Sequence, residues 1–369
     1  MSNTLPDFII KAGERSSHPY HVWDAIQSIP ETLANTIEAY RKNPYTYTGE
    51  KIADKKFVYF TGVGTSYFNG IAARHIFREI AGMDGNAEYA LEFLNYPPLY
   101  TENDVCIGIS HTGGTAAVVE AIERFKSKGG YTVALTDVED SPLTKTADCF
   151  LAGAVGREPA LPKTKSYIAA LLKLFLLAAD IADAKKIDTK QFRENILKTP
   201  EFSKKTLLEN EQLMKEVSAN KYNKVYIFGS GINLATINEA SLKLNEAAQI
   251  ISIPLQLEEG MHGPWVTMNE GDLVIVYNFG EKNRIKTERL MESLNHLNVD
   301  ILNITDSPSR TGSEKYYINI SAPEEFSVFY SVLPVYQLTY FSALGSGKNP
   351  DFMRLWEANY LKTRLSLPR

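Results

Sequence analysis

The chain has 369 residues, 44% of them apolar and 22% charged, which allows two domains of ordinary size, each with its own core. A formal net charge of -5, with Lys and Arg spread along the chain, leaves no basic patch of the kind a nucleic-acid partner requires. No apolar run reaches the ~20 residues of a membrane span, since Lys173 interrupts the longest candidate, Tyr167 to Ile181.

From the N-terminus, the opening Met1-Ser-Asn-Thr-Leu-Pro-Asp7 lacks the basic and apolar regions of a signal peptide, so a cytoplasmic location is expected. Trp23 to Arg41 is amphipathic, with Ile26, Ile29, Leu33 and Ile37 at helical spacing, and is expected to pack on the first sheet. Phe57-Val-Tyr-Phe-Thr-Gly-Val-Gly64 is a β-branched and aromatic run ending in Gly-x-Gly before a helical pattern, the opening of a βαβ unit. A strand from Val105 to Ile109, a helix from Thr115 to about Lys126, a strand from Tyr131 to Leu135 and a helix after Ser141 follow. The charged, Gly-poor stretch from Lys185 to Lys221 reads as one or two helices. Val225-Tyr-Ile-Phe-Gly-Ser-Gly231 then repeats the first opening about 170 residues on. Behind it come a strand from Leu273 to Tyr277, a helix from about Lys282, strands Asp300 to Ile304 and Tyr317 to Ile320, and a long helix from about Glu324. The tail has turn signals in Gly345-Ser-Gly-Lys-Asn-Pro and then a helical stretch.

Strands alternating with helices imply an α/β protein with two tandem doubly wound parallel sheets. The expected boundaries are a helical extension over 1–50, a first domain over 51–200, a second over 201–345 and a tail over 346–369 that covers the active site. Cys106 and Cys149 each lie inside an apolar strand-like run, and the histidines are scattered, so neither a disulfide, a metal nor a cofactor is expected.

Glu239, Lys243 and Glu246 are spaced i, i+4, i+7, which on a helix places them on one face. A solvated ion-paired face accounts for that spacing; a cleft lining accounts for it too, because the opposite stripe (Ala240, Leu244, Ala247, Ala248) allows close helix approach and Ile250 to Leu257 is apolar enough to be interior. Downstream, Glu258-Glu-Gly-Met-His262-Gly-Pro forms a turn that can present one imidazole. A carboxylate, an ammonium and an imidazole brought together can move protons on a small polar substrate.

Gly64-Thr65-Ser66 stands where a strand meets a helix, so backbone N–H groups and the positive helix end favour an anion. The loop Ser110-His111-Thr112-Gly-Gly-Thr115 occupies the corresponding place after the next strand. In a parallel sheet such loops share one crevice at the carboxyl ends of the strands, and two of them can wrap one phosphate. Ser141 and the Lys163-Thr-Lys165 loop are placed to close it. Each loop alone reads equally as a capped helix start, with Thr115 a plain N-cap; the pairing carries the inference. Neither is a Walker P-loop, and Gly62-Val-Gly-Thr-Ser-Tyr lacks the third glycine of a dinucleotide fingerprint.

Together, Gly64-Thr-Ser66 with Tyr67, Ser110-His-Thr-Gly-Gly-Thr115, Glu239-Ala-Ser-Leu-Lys-Leu-Asn-Glu246 and His262-Gly-Pro264 resemble the tandem, flavodoxin-like sugar isomerase (SIS) domains of the isomerase half of glucosamine-6-phosphate synthase. They are similar also to archaeal glucosamine-6-phosphate deaminases and AgaS-like isomerases, over roughly residues 20 to 360. The resemblance implies that Thr65, Ser66, Ser110, Thr112 and Thr115 bind the phosphate of a sugar substrate. It implies that Glu246 shuttles a proton between C1 and C2, and that Lys243 helps open the ring or stabilises charge. His262 would assist ring opening in the site of a neighbouring subunit, which implies a homodimer. His111 and Gly114 replace a glutamine and a glutamate of the family's loop, and Lys163 brings a cation near phosphate or substrate beside Lys165. Asn349-Pro-Asp-Phe-Met-Arg354 resembles the family's Asn-Pro-Asp-x-Pro-Arg, but the lysine expected four residues later is Ala358, and Lys362 is the candidate to replace it.

Aldose–ketose isomerisation needs one base that takes a proton from C2 and returns it to C1, which a buried carboxylate suits, and a nearby ammonium stabilises the developing oxyanion. Glutamine-dependent synthesis requires a further domain with an N-terminal cysteine, whereas Ser2 and about 50 residues precede the first strand. Release is therefore the expected chemistry: glucosamine 6-phosphate to fructose 6-phosphate and ammonia. An isomerase or deglycase of another phosphosugar, the isomerase subunit of a split synthase and a non-catalytic sugar-phosphate sensor stay open as alternatives.

Overall fold

The computed structural model describes residues 13–151, 153–156 and 158–367; the opening Met1 to Asp7 lies outside them. Two compact units emerge, one from residues 28–156 and 165–201, the other from 13–27, 158–164 and 202–367.

The first unit holds a five-stranded sheet in the order β2-β1-β3-β4-β5, every pairing parallel. Its strands are β1 (Phe57–Gly62), β2 (Gly85–Tyr89), β3 (Asp104–Ile109), β4 (Tyr131–Leu135) and β5 (Cys149–Leu151). β3 is buried along its whole length, as a central parallel strand covered on both faces must be. On one face Tyr59, Phe93, Cys106, Ile122 and Phe125 form a cluster; burying a ring such as that of Phe125 contributes about 1.5–3 kcal/mol. The longest apolar run, Tyr167 to Ile181, lies within the helix Lys165–Ala184, whose Lys173 is wholly buried. The amphipathic stretch Trp23 to Arg41 is two helices, not one: His21–Gln27, which buries Ile26, and Ile29–Lys42, which buries Ile29, Leu33 and Ile37.

The second unit repeats the topology: β6 (Lys224–Gly229), β7 (Ile251–Gln256), β8 (Leu273–Asn278), β9 (Asp300–Thr305) and β10 (Tyr316–Asn319) form a parallel sheet in the order β10-β9-β8-β6-β7. Phe228, Val274, Val276, Met291 and Ile301 anchor its core. The stretch from Ile250 to Leu257, expected to be interior, is instead the edge strand β7, with Ile251 64% exposed. An edge position also tolerates Pro254, which has no N–H for a ladder. The stretch from Lys185 to Lys221 is a single helix, Lys190–Ser218, with Pro200 inside it. Among the described residues no helix is long and apolar enough to cross a membrane, and no cluster of His, Cys, Asp or Glu is arranged to hold a metal ion.

Candidate functional site

In each sheet the strand order reverses beside the first strand, between β1 and β3 and between β6 and β8. In open α/β sheets ligands bind at such switch points, outside the carboxyl ends of the strands.

At the first switch point, Gly64 is the N-cap of the helix Thr65–Glu79 and has no side chain with which to cap it. The early N–H groups and the positive helix end there suit an anion. Thr65 and Ser66 are half-buried in that turn. Across the crevice, Ser110 is buried and its Oγ lies 3.0 Å from Thr115 Oγ1. Thr115 occupies the N-cap of the helix Ala116–Ser127 but makes no side-chain cap bond, so the plain N-cap reading of it fails: its hydroxyl faces Ser110. Thr112 is exposed on the loop. Gly113 has φ +64, and a Cβ there would lie 2.2 Å from Ser141 Oγ. Ser141 in turn forms a capping box with Thr144.

His111 is held differently from its hydroxyl neighbours. Its Nδ1 is 2.6 Å from Asp137 Oδ2, and Asp137 Oδ1 accepts from Lys173 Nζ. Burial works to raise the Asp137 pKa, yet the His111 hydrogen bond and the Lys173 ammonium hold the carboxyl below its ordinary range. Lys165 begins the helix Lys165–Ala184.

In the second unit the helix Asn233–Lys243 runs on into a π-helical turn, Leu244–Ala248, which closes at Gln249 in the left-handed region. Glu246 therefore does not continue an α-helical stripe. π-turns of this kind are common at functional sites. Lys243 Nζ donates to Glu246 Oε2 at 2.6 Å and lies 3.6 Å from Glu239 Oε1. The side chains of Glu239, Lys243 and Glu246 are 0%, 2% and 18% exposed, which excludes a solvated ion-paired face. Burial opposes the Lys243 charge, but the carboxylates of Glu239, Glu246 and Glu158 push its pKa up, so the ammonium persists. Glu239 also accepts from the Tyr336 hydroxyl at 2.9 Å. Glu158 accepts from the N–H and hydroxyl of Thr164 at 2.6 and 3.0 Å.

Glu246 is the residue of this group that reaches open space. With Asn245, Gln249, Met353, Arg354 and Tyr360 it lines a cavity of about 310 Å³. Arg354, at φ +64, clasps Glu357 at 2.6 and 2.7 Å and stacks 3.7 Å from the Tyr360 ring centroid. Lys362 is exposed on the helix Ala358–Ser366. Lys163 donates to the carbonyls of Glu158 and Ala160, both at 2.8 Å, and so braces its own loop. His262 is 72% exposed and its Nε2 lies 3.3 Å from Glu258 Oε1. Glu258 also pairs with Lys286, which holds its carboxyl below the usual range.

The second switch point is filled by the chain itself. A Cβ on Gly280, after β8, would lie 2.1 Å from Glu324 Oε2, and one on Gly231, after β6, 3.3 Å from Glu324 Oε1. Asn283 Nδ2 donates to Ser230 Oγ at 3.0 Å across the same place.

Sequence reasoning missed Asp137, Lys173, Glu158 and Tyr336. Lys173 did carry a signal, as a lone cation in an apolar helical run, but it was read only as an interruption of a membrane span. Asp137 stands just past the carboxyl end of β4, where the crevice argument applies as well.

A model of the SIS domain matches residues 51–179 and 219–344. The glutamine–fructose-6-phosphate aminotransferase [isomerizing] of Clostridium tetani is 25% identical over 356 residues, 92% of this chain and 58% of its own length. The chain spans 46–58% of the first relatives it matches. Among solved structures, the C-terminal domain of glucosamine-fructose-6-phosphate aminotransferase from Francisella tularensis superposes with a TM-score of 0.84 at 19% identity, over 92% of this chain and 100% of that one. Glucosamine-6-phosphate deaminase from Thermotoga maritima gives a TM-score of 0.73 at 24% identity, over 90% and 96%. These likenesses establish the fold.

Proposed function

The chain belongs to the SIS domain family, and on that premise we propose that it is a phosphosugar isomerase-deaminase converting glucosamine 6-phosphate and water to fructose 6-phosphate and ammonia. The observation that carries the reading is the buried Lys243–Glu246 pair, 2.6 Å apart, with Glu246 lining an open cavity. Lys243 engages Oε2 of the carboxylate, which leaves Oε1 to take the C2 proton of an open-chain sugar and deliver it to C1. The same ammonium faces the O1 oxyanion that develops as the enolamine forms; protonation at C1 leaves an imine at C2, which water hydrolyses to the ketone and ammonia. The uncapped helix start after Gly64 and the hydroxyls of Ser110 and Thr115 supply donors for the sugar phosphate.

The relatives' names support the amino-sugar class: they couple isomerisation with amino transfer on fructose 6-phosphate, and a structural neighbour is a glucosamine-6-phosphate deaminase. An exposed His262 suits a role completed by a second subunit, so a homodimer belongs to this proposal, as does a cytoplasmic location. Ala358, standing where the resemblance leads one to expect lysine, favours a second reading: an isomerase or deglycase of another phosphosugar with a different ring-opening step.

The test is release of ammonia and fructose 6-phosphate from glucosamine 6-phosphate, with Glu246→Gln beside the wild type. Loss of one positioned acid–base group costs about 10²–10⁴-fold in turnover, and the variant should still melt cooperatively, because Lys243 keeps Glu239 as a partner. An inactive wild type at high enzyme concentration refutes the deaminase reading; an active Glu246→Gln refutes the shuttle.

A further inference from the structure

His111, Asp137 and Lys173 form a chain of contacts that the reaction above does not use. Asp137 Oδ2 meets His111 Nδ1 at 2.6 Å, and its Oδ1 accepts from Lys173 Nζ, which donates also to the Thr136 carbonyl at 3.1 Å. The backbone closes the same ring, since the Asp137 N–H and the Thr136 hydroxyl both donate to the His111 carbonyl at 3.1 Å. A Cβ on Gly153 would lie 2.2 Å from Lys173 Nζ and 2.8 Å from Asp137 Oδ1, so the glycine lets the chain cover the pair.

Side-chain exposure rises along the chain from 0% at Lys173 through 9% at Asp137 to 23% at His111. A wholly buried ammonium paired with a nearly buried carboxylate is a poor device for stability alone, because an apolar side chain of like volume serves a core as well or better. They are well suited to fixing a geometry. With Nδ1–H held by a carboxylate, the ring's orientation is set, and Nε2 is the nitrogen left for a ligand; it donates to a phosphate oxygen in the form that carries a proton on both nitrogens. His111 stands in the loop whose Ser110 and Thr115 hydroxyls face each other.

We propose that Asp137 and Lys173 are positioning residues that hold His111 so that its Nε2 contacts the phosphate of a phosphosugar bound at the Ser110–Thr115 loop. This rests on the phosphate-loop reading given above. It assigns to the imidazole the loop position at which the resembled family carries glutamine, and it gives a buried lysine of the long helix a part in substrate recognition.

The experiment uses the full chain with ¹⁵N-labelled histidine, titrated with inorganic phosphate and then with fructose 6-phosphate. NMR reads the ring nitrogens, assigned with His111→Gln, and calorimetry reads Kd. The free protein should show a charge-assisted Nδ1–H at His111, and ligand should shift the Nε2 signal saturably. Asp137→Asn should weaken Kd about tenfold, the scale of one charge-assisted hydrogen bond, and the Nδ1–H signal should lose its downfield position. Asp137→Asn with Lys173→Met removes both charges together, leaves no unmatched buried ion, and should give the same loss in a protein that melts cooperatively. Ser66→Ala should weaken phosphate binding without altering the Nδ1–H signal. If phosphate binds, responds to Ser66→Ala, and leaves both the Nε2 signal and the Asp137→Asn Kd unchanged, the positioning role is overturned while the phosphate reading stands. If neither ligand binds the wild type, the phosphate reading is overturned and this role with it.

Discussion

Replacing Lys243 with methionine keeps the volume and removes the ammonium that Glu246 and Glu239 approach at 2.6 and 3.6 Å. Glu239 is wholly buried and Lys243 nearly so, and removing one partner of a buried pair costs about 3–5 kcal/mol because the other charge is left uncompensated. For a unit of this size each kcal/mol moves the transition by about 2–4 °C, so Lys243→Met should melt about 6–20 °C below wild type at pH 8. The pH dependence has a definite sign. In wild type the folded pKa of Lys243 is raised, so its contribution is complete below the unfolded lysine value of about 10.4 and is lost only as pH rises through the folded one. Between pH 5 and 8 that group adds no slope. In the variant, Glu239 keeps its burial without a cation, so its folded form binds a proton more readily than the unfolded chain does, and stability falls as pH rises. The gap to wild type should therefore be widest at pH 8 and shrink toward pH 5, as read by circular dichroism melts in matched buffers. A melting temperature within about 2 °C of wild type at pH 8, or a gap that widens on acidification, refutes the claim that this ammonium neutralises the buried carboxylates.

Two further predictions concern the supports of the site. Gly113→Ala places a methyl at φ +64 and 2.2 Å from Ser141 Oγ; it should displace the Ser141 capping box and weaken binding of fructose 6-phosphate by about tenfold or more, the equivalent of 1.4 kcal/mol, by calorimetry. Asp351, wholly buried, accepts from the N–H groups of His21 and Val22 at 3.1 and 2.9 Å; Asp351→Ala should leave those donors unsatisfied and lower stability by about 1–3 kcal/mol in urea melts.

The central strands β1, β3, β4, β6, β8 and β9 were legible within a residue or two, because burial on both faces produces continuous apolar runs. β2, β5 and β7 were not, and all three lie at sheet edges; β10, the fourth edge strand, was legible because Tyr316-Tyr-Ile-Asn319 is aromatic and β-branched. Gly85-Asn-Ala-Glu-Tyr89 is polar, Cys149–Leu151 is three residues long, and β7 contains Pro254, so each lacks the pattern that covered strands show. The site divides in the same way. Local spacing brought out Glu239, Lys243 and Glu246, but it assumed an α-helix throughout, and the π-turn from Leu244 has no spacing signature. Asp137 and Lys173 lie 26 residues from His111 and 36 residues from Asp137 in sequence. Only the sheet's topology brings them together.

The two repeats share a strand order and an opening motif, yet the structure distinguishes what their switch points can hold. After β1 and β3 the N-cap residues make no side-chain cap bond, and hydroxyls and an imidazole stand in the loop after β3. All of these are compatible with a dianion. After β6 and β8 the corresponding space holds the Glu324 carboxylate, brought against Gly231 and Gly280 at the start of the helical run that closes the second unit. A carboxylate at that place satisfies the demand of the positive helix end from within the chain and repels a phosphate. On the proposed reading the anion is therefore held in the first unit. The second unit, relieved of that task, carries the Lys243–Glu246 pair on a helix that departs from regular α geometry.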